Sequence, residues 1–331
     1  MMSQFSLNCN DKIFVAGHNG LLGSAIVKKL MSAGFTNIIV RPHSELDLTN
    51  QTDVQNFFNT EKPDYVFMCA AKVGGIQANR EALDQFLYLN TLIEFNTIMS
   101  AFNSGVKKFC FIGSGAIYPR DCPQPIKESY LLTAPLEVTN EGYALAKISG
   151  LKLCEYLNTL HPGKTKFITV LPCNLYGPGD NYHPEHSHVI PALLRKFHDA
   201  VMTGTKEVVM WGTGNAYREF LHIDDLSDAC LFLMQNYEGE PGSEKNIPGV
   251  SWINLGCGSD FLMRDIGQKI ADIVGFKGKI VFDHVHPDGT PRKLLDSSKL
   301  FNLGWRPKIS LDEGLRQTYE DYKLNKDNYR K

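Results

Sequence analysis

The sequence predicts an α/β fold: a doubly wound parallel sheet with helices on both faces, and a smaller α/β lobe attached to it. Two observations carry this expectation. Unbroken apolar runs alternate with helical stretches through the first half of the 331 residues, which is the pattern of successive β-α-β units. A glycine-rich loop joins the first apolar run to the first helix. That run, KIFVAG (12–17), has no polar alternation, as expected of a strand buried on both faces. AIVKKLMSAG has helical spacing, and Gly34 is a suitable stop. NIIVRP is a second strand, ended by its proline, and DVQNFFNTEKPDYVFMCAA reads as helix, loop and strand. A long amphipathic helix is expected from about Asp84 to Ser104, followed by a strand in KKFCFIGS. YALAKISGLKLCEYLNTL is helical and FITVLP is a strand.

After residue 178 the pattern loosens. GPGDNYHPEHSH is a long loop, VIPALLRKFHDAV a helix, INLGCG (253–258) a late strand and SLDEGLRQTYEDYKL a terminal helix. The expected division places residues 1–177 and about 213–257 in the large domain, and about 178–212 with 258–331 in the smaller lobe.

Composition excludes several functions. The 34 Lys and Arg against 36 Asp and Glu leave a net charge of −2, which argues against a nucleic-acid or anionic-membrane partner. No apolar run approaches the roughly 18 residues of a membrane span. The start, MMSQFSLNCNDK, lacks the basic-then-apolar order of a signal peptide. Cys9, Cys69, Cys110, Cys122, Cys154, Cys173, Cys230 and Cys257 are scattered without a CxxC pair. They read as reduced thiols with no metal site, and a cytoplasmic protein is expected.

Gly17, Gly20 and Gly23 form G-H-N-G-L-L-G between a strand and a helix. Glycines there allow the tight turn, the approach of backbone to a pyrophosphate, and close helix–sheet contact. The helix N-terminus offers free N–H groups and a positive dipole end. At the end of the second strand, VRPHSE carries Arg41 and His43 where a cofactor lacking the 2′-phosphate usually meets an acid; the first acid is Glu45. A cation pairs with a 2′-phosphate, so NADP(H) is expected over NAD(H), although an arginine on a surface loop reads the same way.

Tyr143 and Lys147 stand four residues apart in GYALAKISG, on one face of a helix. A nearby ammonium favours phenolate and is expected to bring the phenol's pKa toward neutral pH. Ser114 ends the strand FCFIGS, where an α/β sheet opens to its ligand, and its hydroxyl is placed to hydrogen-bond a substrate carbonyl.

These residues resemble the extended short-chain dehydrogenase/reductase family and, within it, the GDP-L-fucose synthase branch of GDP-4-keto-6-deoxy-mannose epimerase/reductases. VAGHNGLLGSAI, AAKVGGI, GSGAIYP, YALAKISG, CNLYGPGDNYHPEHSHVIPALLRKFH, WGTG, REFLHIDD and PDGTPRKLLD carry the resemblance over nearly the whole chain. It implies a Rossmann-type domain, a GDP-sugar lobe, a homodimer, and NADPH reducing the C4 ketone of a GDP-linked sugar. Ser114, Tyr143 and Lys147 match the reductase triad, with Tyr143 as proton donor. Implied cofactor contacts are Gly17, Asn19, Gly20, Leu21, Leu22, Gly23, Arg41, His43, Asp47, Leu48, Ala70, Ala71, Tyr143, Lys147, Pro172, Asn174 and Leu175. Implied substrate contacts are Ser114, Gly115, Ala116, Asn174, His188, Val189, Leu193, Lys196, Trp211, Arg218 and Lys293.

The sequence departs from the branch in two places. Asn19 and His43 stand where arginines are common. The pattern GSSCIYP, whose cysteine is the epimerase base, is GSGAIYP here, so Gly115 and Ala116 replace its serine and cysteine. The partner histidine is present as His188, as a possible catalytic residue. The expected function is therefore NADPH-dependent C4 reduction of a GDP-4-keto-6-deoxy-hexose or GDP-4-keto-heptose without C3/C5 epimerisation, in the synthesis of a sugar for surface polysaccharide. A bifunctional enzyme using Cys173 or His188 as substitute base is the alternative, and a non-catalytic NADP(H)-binding protein is a second.

Overall fold

The computed structural model describes residues 7–184, 187–240, 242, 247–285 and 289–326. Residues 1–6, and parts of the motifs at 183–191 and 287–296, lie outside them. In chain order the elements are β1 (Ile13–Ala16), α1 (Leu21–Ser32), β2 (Ile38–Ile39), α2 (Gln51–Glu61), β3 (Tyr65–Met68), α3 (Ile76–Glu81), α4 (Leu83–Ser104), β4 (Lys108–Ile112), α5 (Glu141–Leu160), β5 (Lys166–Pro172) and β6 (Asn174–Tyr176). They continue with α6 (Val189–Thr203), β7 (Glu207–Trp211), β8 (Tyr217–His222), α7 (Ile223–Asn236), β9 (Trp252–Leu255), β10 (Asp260–Leu262), α8 (Met263–Val274), β11 (Lys279–Asp283), β12 (Arg292–Lys293), α9 (Ser298–Asn302) and α10 (Leu311–Asn325).

Six parallel strands form the main sheet in the order β2-β1-β3-β4-β5-β9. Ile13 pairs with Ile38 on one side and Tyr65 on the other, so the order reverses at β1. A reversal of this kind opens a crevice at the carboxyl ends of the strands. Phe14, Val66, Phe109 and Phe111 face the core under α2, α4 and α5. Ile13, Val15, Phe67 and Cys110 face the other core, under α1 and α7. The two faces use alternate residues, as the strand's period of two requires. A buried cation joins this sheet to a helix: Lys108 Nζ donates to Leu233 O and Met234 O at the end of α7 (3.2 and 2.8 Å), where the helix dipole favours positive charge.

A smaller sheet is centred on β8, which pairs with β10, β12 and β6, while β7 and β11 pair separately. α6, α8 and α10 enclose a third core around Phe197, Met210, Ile266 and Tyr319. Helices α7 and α8 are additional to the sequence reading. Two segments sit across the expected lobe boundaries: β8 belongs to the smaller sheet, and Leu300 and Trp305 pack into the core under α1 and α7.

Helix α4 corrects the expectation of an ordinary amphipathic helix. Its inward side carries Asn90, Glu94, Asn96, Thr97 and Ser100, all buried, whereas Leu87, Tyr88 and Phe95 are exposed. Polar inward residues hold neighbouring backbone. Asn90 accepts from Lys72 N (2.8 Å) and donates to Lys72 O (3.0 Å), and Asn96 donates to Leu48 O and Thr49 O (both 3.0 Å). α4 and α5 pack closely, and at Gly142 a Cβ would overlap the carbonyl oxygen of Leu83. Gly142→Ala is therefore expected to destabilise the protein by about 1–3 kcal/mol, the usual cost of overpacking against unyielding backbone. Urea unfolding checks this, and an unchanged midpoint would contradict the close approach.

Candidate active site

The glycine loop follows β1, beside the reversal of strand order. Gly17 has φ +81°, and a Cβ on it would lie 2.7 Å from Ala70 N. A Cβ on Gly23 would overlap Gly17 O. Loop, β3 end and α1 are thus pressed together in a way that only glycine permits. Gly20 caps α1 without a side chain, and the first turn carries no acid. Asn19 is exposed, Leu21 and Leu22 are half-buried at the helix start, and His18 Nδ1 is buried with no hydrogen-bond partner among the described residues. A bare, positively polarised helix end beside a backbone-only loop fits the diphosphate of a dinucleotide. Ala71 follows Ala70 at the end of β3, and Asp47 lies in the loop before α2 with Thr49 bonded to its carboxylate. Leu48 is buried, leaving mainly its backbone for contacts.

The adenosine end differs from the expectation of free cations. Arg41 Nη2 lies 2.6 Å from Glu61 Oε1, contributed by α2, and its guanidinium sits over the Phe57 ring. His43 is exposed, with Nδ1 3.8 Å from Asp47 Oδ1. The acid missing from the strand end arrives from elsewhere in the chain, so Arg41 is already paired.

Ser114 lies directly beyond β4, and its Oγ accepts from Ala116 N at 3.0 Å. Tyr143 lies in the first turn of α5, and the Ser114 hydroxyl is one of the groups that acts on its phenol. One turn on, Lys147 is almost fully buried. Its Nζ donates to Ile112 O (3.0 Å), lies 3.0 Å from Glu94 Oε1, and stands 5.8 Å from the Tyr143 ring centroid. Burial pushes the phenol above its ordinary range, outweighing Lys147 and Ser114, which pull it down. This corrects the expectation of a phenol brought toward neutral pH. It leaves Tyr143 protonated, the state a proton donor needs.

Tyr143, Cys173 and Lys293 are half-buried, and His188 is exposed at the start of α6. Desolvation by the surrounding protein holds the His188 imidazole below its usual range, so it is neutral at neutral pH. Burial, with the Glu219 carboxylate nearby, pushes the Cys173 thiol well up. Lys293 pairs with Arg218 in register on β12 and β8; burial and that second cation lower its ammonium to about 8. Gly115 is buried, and a Cβ there would stand 3.0 Å from Pro172 O. Asn174 Nδ2 donates to Glu219 O (2.8 Å), tying β6 to β8, and Leu175 is half-buried beside it.

Lys196 Nζ donates to Val209 O (2.9 Å) and lies 5.9 Å from the ring of Trp211, which is exposed. Val189 is exposed at the start of α6. Leu193, expected to contact substrate, is instead buried in the core of the smaller lobe, one turn inward on that helix. Among the described helices longer than two turns, α1 and α6 alone have neither a side-chain cap nor an acid in the first turn.

Sequence reading missed Glu61, Glu94 and Glu219. A glutamate in a helix or strand reads as a surface residue, and nothing local shows that tertiary packing pairs Glu61 with Arg41 and buries Glu94 and Glu219. For Glu219 a faint signal exists in its position within a strand followed by FLH, since Glu is seldom buried unless partnered.

Comparison with known proteins agrees with this geometry. Residues 13–247 match the model of the NAD dependent epimerase/dehydratase family. The chain is 54% identical to the putative GDP-L-fucose synthase 2 of Arabidopsis thaliana over 321 residues, 97% of this chain and 94% of that one. A GDP-6-OMe-4-keto-L-xylo-heptose reductase from Campylobacter jejuni superposes with a TM-score of 0.90 at 38% identity, covering 97% of this chain and all of that one. A GDP-mannoheptose C4 reductase from the same organism, with NADP bound, gives 0.85 at 39% identity over 96% of this chain and all of that one. The parallel sheet agrees with these matches: the chain belongs to the NAD dependent epimerase/dehydratase family, the extended short-chain dehydrogenase/reductases.

Proposed function

We propose that this protein is an NADPH-dependent reductase of the C4 ketone of a GDP-4-keto-6-deoxy-hexose or GDP-4-keto-heptose, without C3/C5 epimerase activity, in the synthesis of a GDP-sugar for surface polysaccharide. The observation that carries the reading is the assembled set beyond β4: Tyr143 within the influence of the Ser114 hydroxyl, with the Lys147 ammonium 5.8 Å from its ring. NADPH, when bound along the glycine cradle, supplies the hydride. Ser114 orients the ketone oxygen, and Tyr143 gives that oxygen a proton as charge develops on it. The bare N-terminus of α6, and the two cations Arg218 and Lys293 in register on β8 and β12, are suited to the diphosphate of a nucleotide sugar. Similarity to GDP-fucose synthases and GDP-heptose reductases supports the guanine nucleotide and leaves both sugar classes in the proposal.

Tyr143→Phe keeps the ring and removes the acid. Its turnover of a GDP-4-keto sugar is expected to fall by about 10² or more with little change in NADPH affinity. Near-normal turnover would remove Tyr143 from the mechanism.

Epimerisation needs a base within about 2.6–3.2 Å of the carbon-bound proton, or one water away. Ala116 has no proton-accepting side chain, and the Cys173 thiol is pushed away from ionisation. The competing bifunctional reading rests on His188, which is held neutral and so able to accept a proton; alone it is one partner of a two-sided exchange. With NADP⁺ in D₂O and a 4-keto substrate, no enzyme-dependent deuterium uptake at C3 or C5 is expected by mass spectrometry. Uptake above the no-enzyme control would establish the bifunctional reading.

The proposal includes a homodimer. α4 and α5 pack on each other and expose Leu87, Tyr88 and Phe95 on one and Leu145, Tyr156 and Leu160 on the other. Large apolar side chains grouped on paired helices suit an isologous contact with a second copy. Sedimentation is expected to show a dimer in the native protein and monomer in Phe95→Glu/Tyr156→Glu; a monomeric native protein would defeat this part.

A further inference from the structure

Glu94 is a charge in the catalytic set that the reductase reading leaves without a role. It lies midway along α4, fully buried, with Oε1 3.0 Å from Lys147 Nζ. Oε2 has no hydrogen-bond partner among the described residues. A carboxylate buried with one partner is a costly way to fill a helix interface, and an apolar side chain would do so more cheaply. Space has nonetheless been kept for it: a Cβ at Gly150, three residues beyond Lys147, would stand 2.6 Å from Oε2. Packing alone explains neither the charge nor the glycine that accommodates it.

The groups facing this pair are few. Tyr143 and Cys154 approach from α5, and Cys69 from the end of β3. Both thiols are uncharged at neutral pH, since burial raises Cys69 and Cys154 far above their ordinary value. Three groups therefore set the electrostatics: the Glu94 carboxylate, the Lys147 ammonium and the Tyr143 phenol. An ammonium by itself draws a neighbouring phenol toward phenolate, and a phenolate has no proton to give. A carboxylate 3.0 Å from that ammonium opposes the effect.

We infer that Glu94 is a positioning residue for the proton donor: its carboxylate anchors and offsets the Lys147 ammonium, so that Tyr143 keeps its proton until the substrate oxygen takes it. The inference rests on the reductase reading. Lys147 and Tyr143 titrate as a pair, and the competent form holds both protons. Removing the adjacent negative charge makes the first of those protons easier to lose, whichever group loses it.

The test compares native protein, Glu94→Asp and Glu94→Gln. The alkaline limb of the kcat–pH profile is expected to move to lower pH by about one unit or more in Glu94→Gln, at least a tenfold change in the ionisation constant. Glu94→Asp keeps the charge but draws it back, so its limb falls between the other two, and it serves as the reading if Glu94→Gln does not fold. A second readout needs no substrate or cofactor. In Glu94→Gln the buried Lys147 ammonium loses its counter-ion, so its folded pKa drops below the unfolded value of about 10.4 and stability rises with pH in that window. In the native protein Lys147 is held above its ordinary value, and its contribution is lost as pH rises past that value. The Tm deficit of Glu94→Gln is therefore expected to narrow from pH 7 to pH 10. An unchanged alkaline limb with a constant Tm deficit would overturn the inference and leave Glu94 as packing. A native protein that reduces no GDP-4-keto sugar would refute the reductase reading, while the Tm series still decides the ion pair.

Discussion

The burial of the main sheet on both faces is the constraint on which the site depends. β1, β3 and β4 are buried along their whole length, with helices above and below. Polar chemistry cannot emerge from such strands except where they end. Gly17 follows β1, Ala70 follows β3, Ser114 follows β4, and Cys173 and Asn174 follow β5. Each enters the same crevice because parallel strands all finish at the same edge. Residues far apart in sequence are brought to one edge by the sheet, with no loop having to reach for another.

The interface between α4 and α5 gives that edge its chemistry. An apolar interface would have been sufficient for stability, yet the inward side of α4 is polar. Asn90 fixes the backbone after β3 beside Gly17, Asn96 fixes the loop at Leu48, and Glu94 meets Lys147. Glycines at 142 and 150 on α5 allow this helix to come close enough for those contacts. The outward sides carry exposed apolar residues instead, so one helix pair both holds Tyr143 beside Lys147 and presents an apolar surface.

The smaller lobe is joined to the sheet edge by a second buried carboxylate. Glu219 Oε1 accepts from Gly258 N (2.8 Å) and Oε2 from Leu295 N (3.0 Å), while its backbone oxygen accepts from Asn174. Burial pushes its carboxyl to about 7, against the pull of those backbone donors. Hydrogen bonds to all these groups satisfy the charge, in contrast to Glu94. Gly256 makes room for it, since a Cβ there would overlap Oε1. The arrangement sets β8, and with it Arg218 and Lys293, at a fixed place beside the strand ends.

The sequence by itself determined the periodic parts. Largely apolar runs marked β1, β3, β4 and β5, because strands buried on both faces need few polar residues. G-H-N-G-L-L-G marked the loop, because conformational freedom and close approach are properties of glycine itself. Tyr143 and Lys147 were legible because a spacing of four is one helical turn. The tertiary structure decided what depends on neighbours distant in the chain. It paired Arg41 with Glu61, 20 residues away, where the strand end alone showed an unopposed cation. It turned the polar side of α4 inward, buried Leu193, and set burial against Lys147 in deciding the state of Tyr143. Whether a charge is opposed and whether a side chain meets solvent are properties of the assembled packing, and no local pattern of residues encodes them.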